Sequence, residues 1–349
     1  MLPLAVIDDH RTPGRTFNPY FAYRNLYEPS AMAALTTPIV SVVVPSFCAA
    51  DTLPAAISSA LNQTSSSLEI IVCDDASTDA TESIISSIQS PKVHFVKNTQ
   101  NMWPGRSRDK AISAATGKWI AFLDADDVWL PRRLERLLEA AGESENLIVF
   151  DDLMICHDVG GQLMPWRAVH GPRAFNAAGK PFSDITLGTY IQAPRLLMQP
   201  LIPRSLIQNN HLLHSGRRFG EDAEFFIKAG LAGAGFRYVP EPMYQYRIQP
   251  GSLTARSRDP SLMRQCLEDC LKLDNMTPGV RDALLRKIAS LETNEALYSL
   301  ADSVRKGQFI GAASTLKRHP ALWQILPRRV ATHLAYQLHR IRHRGRKWQ

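Results

Sequence analysis

The sequence predicts an α/β chain: a mostly parallel central sheet covered by helices, followed by a helical C-terminal region. Three observations lead there. Runs such as IVSVVVP (39–45) are apolar without alternation, as strands buried on both faces are. Segments of about ten to fifteen residues with helical spacing separate those runs. Carboxylates gather where the runs end, the edge at which parallel sheets bind ligands.

The elements follow in order. After the first strand, DTLPAAISSALNQ (51–63) reads as a helix, with Asp51 or Thr52 as N-cap and apolar residues at 53, 57, 60 and 61. LEIIVCDD (68–75) is a strand, STDATESIISSI (77–88) a helix, and KVHFVKN (92–98) a strand. A helix over 104–116, a strand over 118–124, a helix over 130–141 and a strand over 146–152 continue the alternation. Between Gly160 and about Leu196 the pattern breaks into Gly, Pro and isolated aromatics, expected to be a long excursion carrying acceptor-side loops. Regularity returns with GEDAEFFIKAGLAG (220–233) and FRYVPEPMYQYRI (236–248), and the text turns helical after Asp259. The expected organisation is an irregular arm over 1–37, an α/β domain over 38–257 and a helical region over 258–349.

With 349 residues and 45% hydrophobic composition, the chain can bury one large core with a smaller appendage, or form two modest domains. No run approaches the ~18 apolar residues of a membrane-spanning helix, and the N-terminus lacks the pattern of a secretory signal. The five cysteines form no CxxC pair, which suits a reduced, cytoplasmic setting. Cys266 and Cys270 are expected to pack as small hydrophobes on one helix face. The net charge of +7 is uneven: nine cations lie in 317–349, where there is no acid, so the rest of the chain is slightly acidic.

Three acidic groups stand at ligand-binding positions. Asp74 and Asp75 end the second strand; Asp124, Asp126 and Asp127 end the fourth; Glu221 and Asp222 open a later helix. Each has a plain structural use as well: turn chemistry with Ser77 or Thr78, a cap for a helix starting at Pro131, and first-turn acids favoured by the helix dipole. One cap, however, does not need three carboxylates. Two anions about 5 Å apart repel by ~3 kcal/mol at an effective dielectric near 20. If the groups converge, the crevice calls for a divalent cation and admits a phosphorylated substrate.

The stretches VSVVVPSFCAADTLPAAISSALNQT, EIIVCDDASTDAT, ATGKWIAFLDADDVWLP, FGEDAEFF and YRIQPGSLT together resemble family 2 glycosyltransferases with the GT-A fold, over roughly 38–255. Within that family they are most similar to bacterial exopolysaccharide and succinoglycan-type glucosyltransferases. The resemblance implies inverting transfer of a sugar, glucose as best guess, from a UDP-sugar to a glycan or lipid-linked oligosaccharide. It places Asp222 as general base with Glu221 in support, and Asp126 with Asp124 as ligands of Mn²⁺ or Mg²⁺. Asp124 would lie toward the ribose or sugar, and Asp127 would be a supporting acid or a helix cap. Asp75 would read the uracil or ribose, over a pocket floor of Pro45, Ser46 and Phe47. Arg108 would pair with Asp124 or the diphosphate, and Tyr246 and Arg247 would lie near the diphosphate. Where the family usually shows Arg-Asn, this sequence has Arg108-Asp109, which leaves the role of Asp109 open.

The segment 317–349 mixes Trp, Leu, Ile and Tyr with Arg, Lys and His, a composition suited to an anionic membrane surface. A solvated tail without a partner is the alternative; nucleic acid is disfavoured because no recognition motif accompanies the charge. The expected location is therefore the cytoplasm, with peripheral attachment to the inner face of the membrane. Processive synthases of that family carry a QxxRW signature and membrane helices, both missing here, which favours single-sugar addition; a nucleotidyltransferase or dehydrogenase fails on PSFCAADT, which has no glycine. The competing class is a catalytically inactive nucleotide-sugar-binding scaffold of a polysaccharide assembly complex.

Overall fold

The computed structural model describes residues 37–65, 67–171, 173–248, 260–320 and 322–323. Residues 1–36 of the expected arm and most of the basic tail lie outside them. Four parallel strands open the fold: β1 (Val40–Ser46), β2 (Leu68–Asp74), β3 (Val93–Lys97) and β4 (Trp119–Phe122). They are linked by α1 (Leu53–Leu61), α2 (Thr81–Ser87) and α3 (Trp103–Ala114). Next come β5 (Val128–Trp129), α4 (Arg133–Ala141), β6 (Leu147–Val159), β7 (Gln162–Ala168), β8 (Ser183–Ile185), α5 (Leu187–Ile191), β9 (Leu201–Pro203), α6 (Arg204–Asn209), α7 (Glu221–Leu231) and β10 (Gly235–Ile248). Helices α8 (Pro260–Cys270), α9 (Pro278–Arg305) and α10 (Phe309–Arg318) follow.

The sheet order is β3-β2-β1-β4-β9-β6-β10-β5. Its first half is parallel; its second half is mixed, because the short β9 runs antiparallel to both β4 and β6, while β6 and β10 pair parallel. The stretch after Gly160 is more regular than its composition suggests. Gly160 and Gly161 both take positive φ (62° and 85°), the backbone a two-residue hairpin turn requires, and β7 folds back on β6. Strands β7 and β8 pair at the side of the sheet, off its main path.

Continuous apolar strands make sense because both faces are covered. On one face Val43, Phe122, Phe150 and Phe236 meet Phe225 and Phe226 of α7. On the other, Val42 and Val44 meet Leu53 and Ile57 of α1 and Leu134 and Leu137 of α4. Cys266, Leu267 and Cys270 of α8, and Ala283, Leu284 and Ile288 of α9, belong to the first of these cores. The start of the helical region is thus part of the α/β body. Farther on, Ala296, Leu300, Ala312 and Leu322 form a small cluster of their own.

One ion pair sits inside the second core. Arg133 and Asp151 have fully buried side chains, with Arg133 Nη2 2.7 Å from Asp151 Oδ1. The guanidinium also donates to the Gln199 carbonyl, and it lies over the rings of Trp129 and Tyr244. Asp151 in turn accepts from the Met243 amide at 3.2 Å. The pair therefore ties α4, β6, β10 and the approach to β9 together. Removing one partner of such a pair leaves an uncompensated buried charge. Asp151→Ala is expected to lower unfolding free energy by about 3–5 kcal/mol in urea titration, and the double change Arg133→Met/Asp151→Leu by clearly less. A loss below 1 kcal/mol in the single variant would mean that water reaches the arginine.

Candidate active site

The site forms where β1, β2 and β4 end and α3 and α7 begin. Its centre is Arg108, on α3, whose side chain is only 4% exposed. One arm of the guanidinium donates to Asp124 Oδ1 at 2.7 Å and the other to Asp222 Oδ1 at 2.9 Å. Glu221 Oε1 lies 3.6 Å from the second arm. Two of the acidic groups singled out in the sequence are therefore bridged by one cation. Asp124 Oδ2 accepts from the Gln199 side chain at 2.7 Å, so both of its oxygens are held.

The turn after β4 is fastened from behind. Tyr244 Oη accepts from the Asp124 amide at 3.1 Å and donates to Asp127 Oδ2 at 2.7 Å. The Arg247 amide donates to Asp127 Oδ1 at 2.8 Å. Asp127 is thus buried against β10 rather than capping α4. That helix starts at Arg133, with Arg132 at its N-cap position, so the expected start at Pro131 is corrected. Burial, then the charges of Asp126 and Asp124, raise the Asp127 carboxyl well above its usual range. Asp126 is pushed up to about 6 by burial and the charge of Asp124, and no side chain among the described residues donates a hydrogen bond to its carboxylate.

The donor set here is entirely oxygen, with two carboxylates two residues apart, one of them protonated more readily than normal. That chemistry fits a hard divalent cation shared with phosphate oxygens. Among the described residues, no group of three His, Cys, Asp or Glu forms a metal cage of its own.

The start of α3 and the start of α7 approach closely. A Cβ at Gly105 would come within 2.8 Å of His214 Cβ and 3.0 Å of Glu221 Cγ, so glycine permits the contact. Asp109 turns away from solvent and accepts from the His214 amide at 3.1 Å and from His214 Nδ1 at 2.7 Å. The histidine ring stacks on Phe225 at 4.2 Å, and its Nε2 is 3.6 Å from Asp222 Oδ1. Burial, then the neighbouring Asp222, pushes Glu221 up to about 8 despite Arg108.

On the side of β1 and β2, two adjacent acids divide their work. Asp74 binds Ser77 in a turn, while Asp79 accepts from Thr81 and the Ala50 amide. Asp75 is buried, and its Oδ1 accepts from Asn98 at 2.7 Å and the Met102 amide at 2.8 Å. The Asp75 amide donates to the Ser46 carbonyl, which joins this acid to the end of β1. Pro45 and Ser46 are buried there and Phe47 is exposed. Tyr246 packs at the edge of the second core. Arg247 points to the Asp126 carbonyl at 2.7 Å and pairs with Asp158, so its side chain braces the acidic turn. Gln199, His214 and Tyr244 were not singled out in the sequence, and Asp109 had no assigned role.

The chain is similar to known proteins in sequence and in fold. Residues 41–203 match the family described as glycosyl transferase family 2. The succinoglycan biosynthesis protein ExoO of Rhizobium meliloti (strain 1021) is 28% identical over 318 residues, covering 85% of this chain and 86% of its own. The Escherichia coli UDP-Glc:alpha-D-GlcNAc-diphosphoundecaprenol beta-1,3-glucosyltransferase WfaP is 38% identical over 96 residues, covering 28% of this chain and 38% of its own. The crystal structure of S. aureus TarS 1-349 in complex with UDP-GlcNAc superposes with a TM-score of 0.58 at 18% identity, covering 79% of each chain. The fold is the GT-A fold, with a helical C-terminal region.

The Glu221 carboxyl provides a stability test. Its value rises from 4.5 to about 8 on folding, so between these values the folded chain keeps a proton that the unfolded chain releases. Its contribution is fully present below the unfolded value and is lost as pH climbs through the folded one. Glu221→Gln is expected to flatten the decline of the urea midpoint from pH 5 to pH 8. An unchanged slope would assign that decline to other groups.

Proposed function

From the glycosyl transferase family 2 domain carried by residues 41–203, we propose an inverting transfer of one sugar from a UDP-sugar to a hydroxyl group. Glucose is the proposed sugar, and a glycan or lipid-linked oligosaccharide of bacterial exopolysaccharide biosynthesis the proposed acceptor. The name of the ExoO relative supports the pathway class; that of WfaP supports glucose and a lipid-linked acceptor. The observation that carries the reading is the Arg108 fork, which holds a strand-end acid and a helix-start acid at one crevice.

In this reading Asp75 and the end of β1 receive the nucleoside, and Asp124 faces the ribose or sugar. Asp126, with Asp124, would hold Mn²⁺ or Mg²⁺, which when bound neutralises charge on the departing diphosphate. Asp222 takes the proton from the attacking hydroxyl. Its side chain is 27% exposed, so it is open to an acceptor, while Arg108 fixes the carboxylate from the buried side. Arg108 and Gln199 keep Asp124 oriented without motion of the chain, as preorganised electrostatics require.

The site is proposed to work at the cytoplasmic face of the membrane, with the basic segment 317–349 against anionic lipid. Among the described residues no helix is long and apolar enough to cross a membrane.

Screening UDP- and GDP-sugars by nucleotide release tests the donor. Turnover restricted to GDP-sugars would overturn the UDP assignment. Asp222→Asn is expected to lose at least a hundredfold in turnover, on the scale of a general base, while UDP binding stays nearly intact by calorimetry. Retention of a tenth of wild-type turnover would remove Asp222 from the base role. Asp126→Ala is expected to abolish the gain in UDP affinity that Mn²⁺ brings; equal affinity with and without Mn²⁺ in the wild type would defeat the metal assignment.

A further inference from the structure

We propose that His214 is a positioning residue for Asp222, serving the carboxyl in its protonated form. The inference rests on Asp222 being the base. It starts from an atom without a partner: His214 is fully buried, and among the described residues its Nε2 finds no hydrogen bond. The ring's other nitrogen is 2.7 Å from Asp109 Oδ1. A carboxylate only accepts, so Nδ1 carries the hydrogen and donates it. In the neutral ring, Nε2 is then a bare lone pair. It faces Asp222 Oδ1 at 3.6 Å, beyond a hydrogen bond but within reach of a small carboxyl rotation.

Asp222 thus stands between two unlike neighbours. Arg108 Nη1 is a donor at 2.9 Å and suits the carboxylate. His214 Nε2 is an acceptor and suits the carboxylic acid. When Asp222 takes the acceptor's proton, the hydroxyl O–H bond breaks, a carboxyl O–H bond forms, and the new hydrogen needs somewhere to point. The histidine lone pair is placed for it. Hydrogen bonding to the neutral form favours proton uptake, and the low-dielectric surroundings strengthen it.

The ring cannot turn away. It is stacked on Phe225 at 4.2 Å with 9° between planes, and Phe122 closes its edge at 5.9 Å. The backbone is held too, since the His214 amide donates to both oxygens of Asp109 at 3.1 Å. A histidine kept only for packing would not need its amide and its ring both bound to one buried carboxylate and an idle nitrogen aimed at the base.

Two variants separate the roles. His214→Asn keeps a donor toward Asp109 and loses the atom facing Asp222; His214→Gln restores a polar end near that position. UDP release from UDP-glucose, UDP-galactose and UDP-GlcNAc with Mn²⁺ is measured beside UDP binding and Asp222→Asn. The expected result is a tenfold or greater fall in kcat for His214→Asn, with donor KM within twofold of wild type and partial recovery in His214→Gln. His214→Asn within tenfold of wild-type kcat, a fall confined to KM, or equal losses in both variants would overturn the proposal. If His214→Asn fails to bind UDP, His214→Gln decides: kcat within tenfold of wild type supports the role, and a larger loss overturns it. An active Asp222→Asn would instead strike the base assignment itself.

Discussion

A single buried cation governs the arrangement. Burial works against the charge of Arg108, and Asp222 and Asp124 more than reverse that, so its guanidinium stays firmly protonated. An arginine left in the same place without them would cost several kcal/mol. The constraint runs both ways. Asp124 lies just beyond β4, Asp222 belongs to the first turn of α7, and Arg108 comes from the middle of α3. Each can satisfy the others in one relative placement, so the charge requirement also fixes the geometry of the crevice.

Behind that centre lies a second layer built on the same logic. Arg133 and Asp151 neutralise each other in the core and hold the carbonyl of Gln199, whose side chain reaches forward to Asp124. Tyr244 lies over Arg133 and sends its hydroxyl to Asp127. The acidic turn is therefore supported from α4, β6 and β10 at once. This explains why three carboxylates crowd one turn: Asp124 and Asp126 face the open side, and Asp127 anchors the turn to the sheet.

Much of the α/β body was legible because strands buried on both faces leave long apolar runs. Strands β5 and β9, of two and three residues, are too short to carry a period. The β6–β7 hairpin did have a signal, the Gly160-Gly161 pair, within a stretch otherwise read as irregular. At the site, the acids were legible because charge at a strand end is unusual in itself. Gln199 and His214 were not. Their meaning comes from partners 75 residues away in one case and 105 in the other, and a lone polar residue carries no spacing. Asp109 was visible as a departure, but its partner was not. For Asp127 the sequence leaves a supporting acid and a helix cap both open, because proximity to a helix is visible and contact with a distant strand is not.

The long reach of the Arg108 fork bears on how the protein comes into being. Its two arms join residues 16 and 114 positions away. Chains are made from the N-terminus, and the elements that carry Asp75 and the acidic turn emerge well before α7. A nascent chain can assemble β1 to β4 while Arg108 still lacks half of its counter-charge. The acid that would accept a proton arrives only with the segment that completes the neutralisation. Electrostatic closure of the fork therefore comes late in synthesis, and a chain stopped before α7 lacks it.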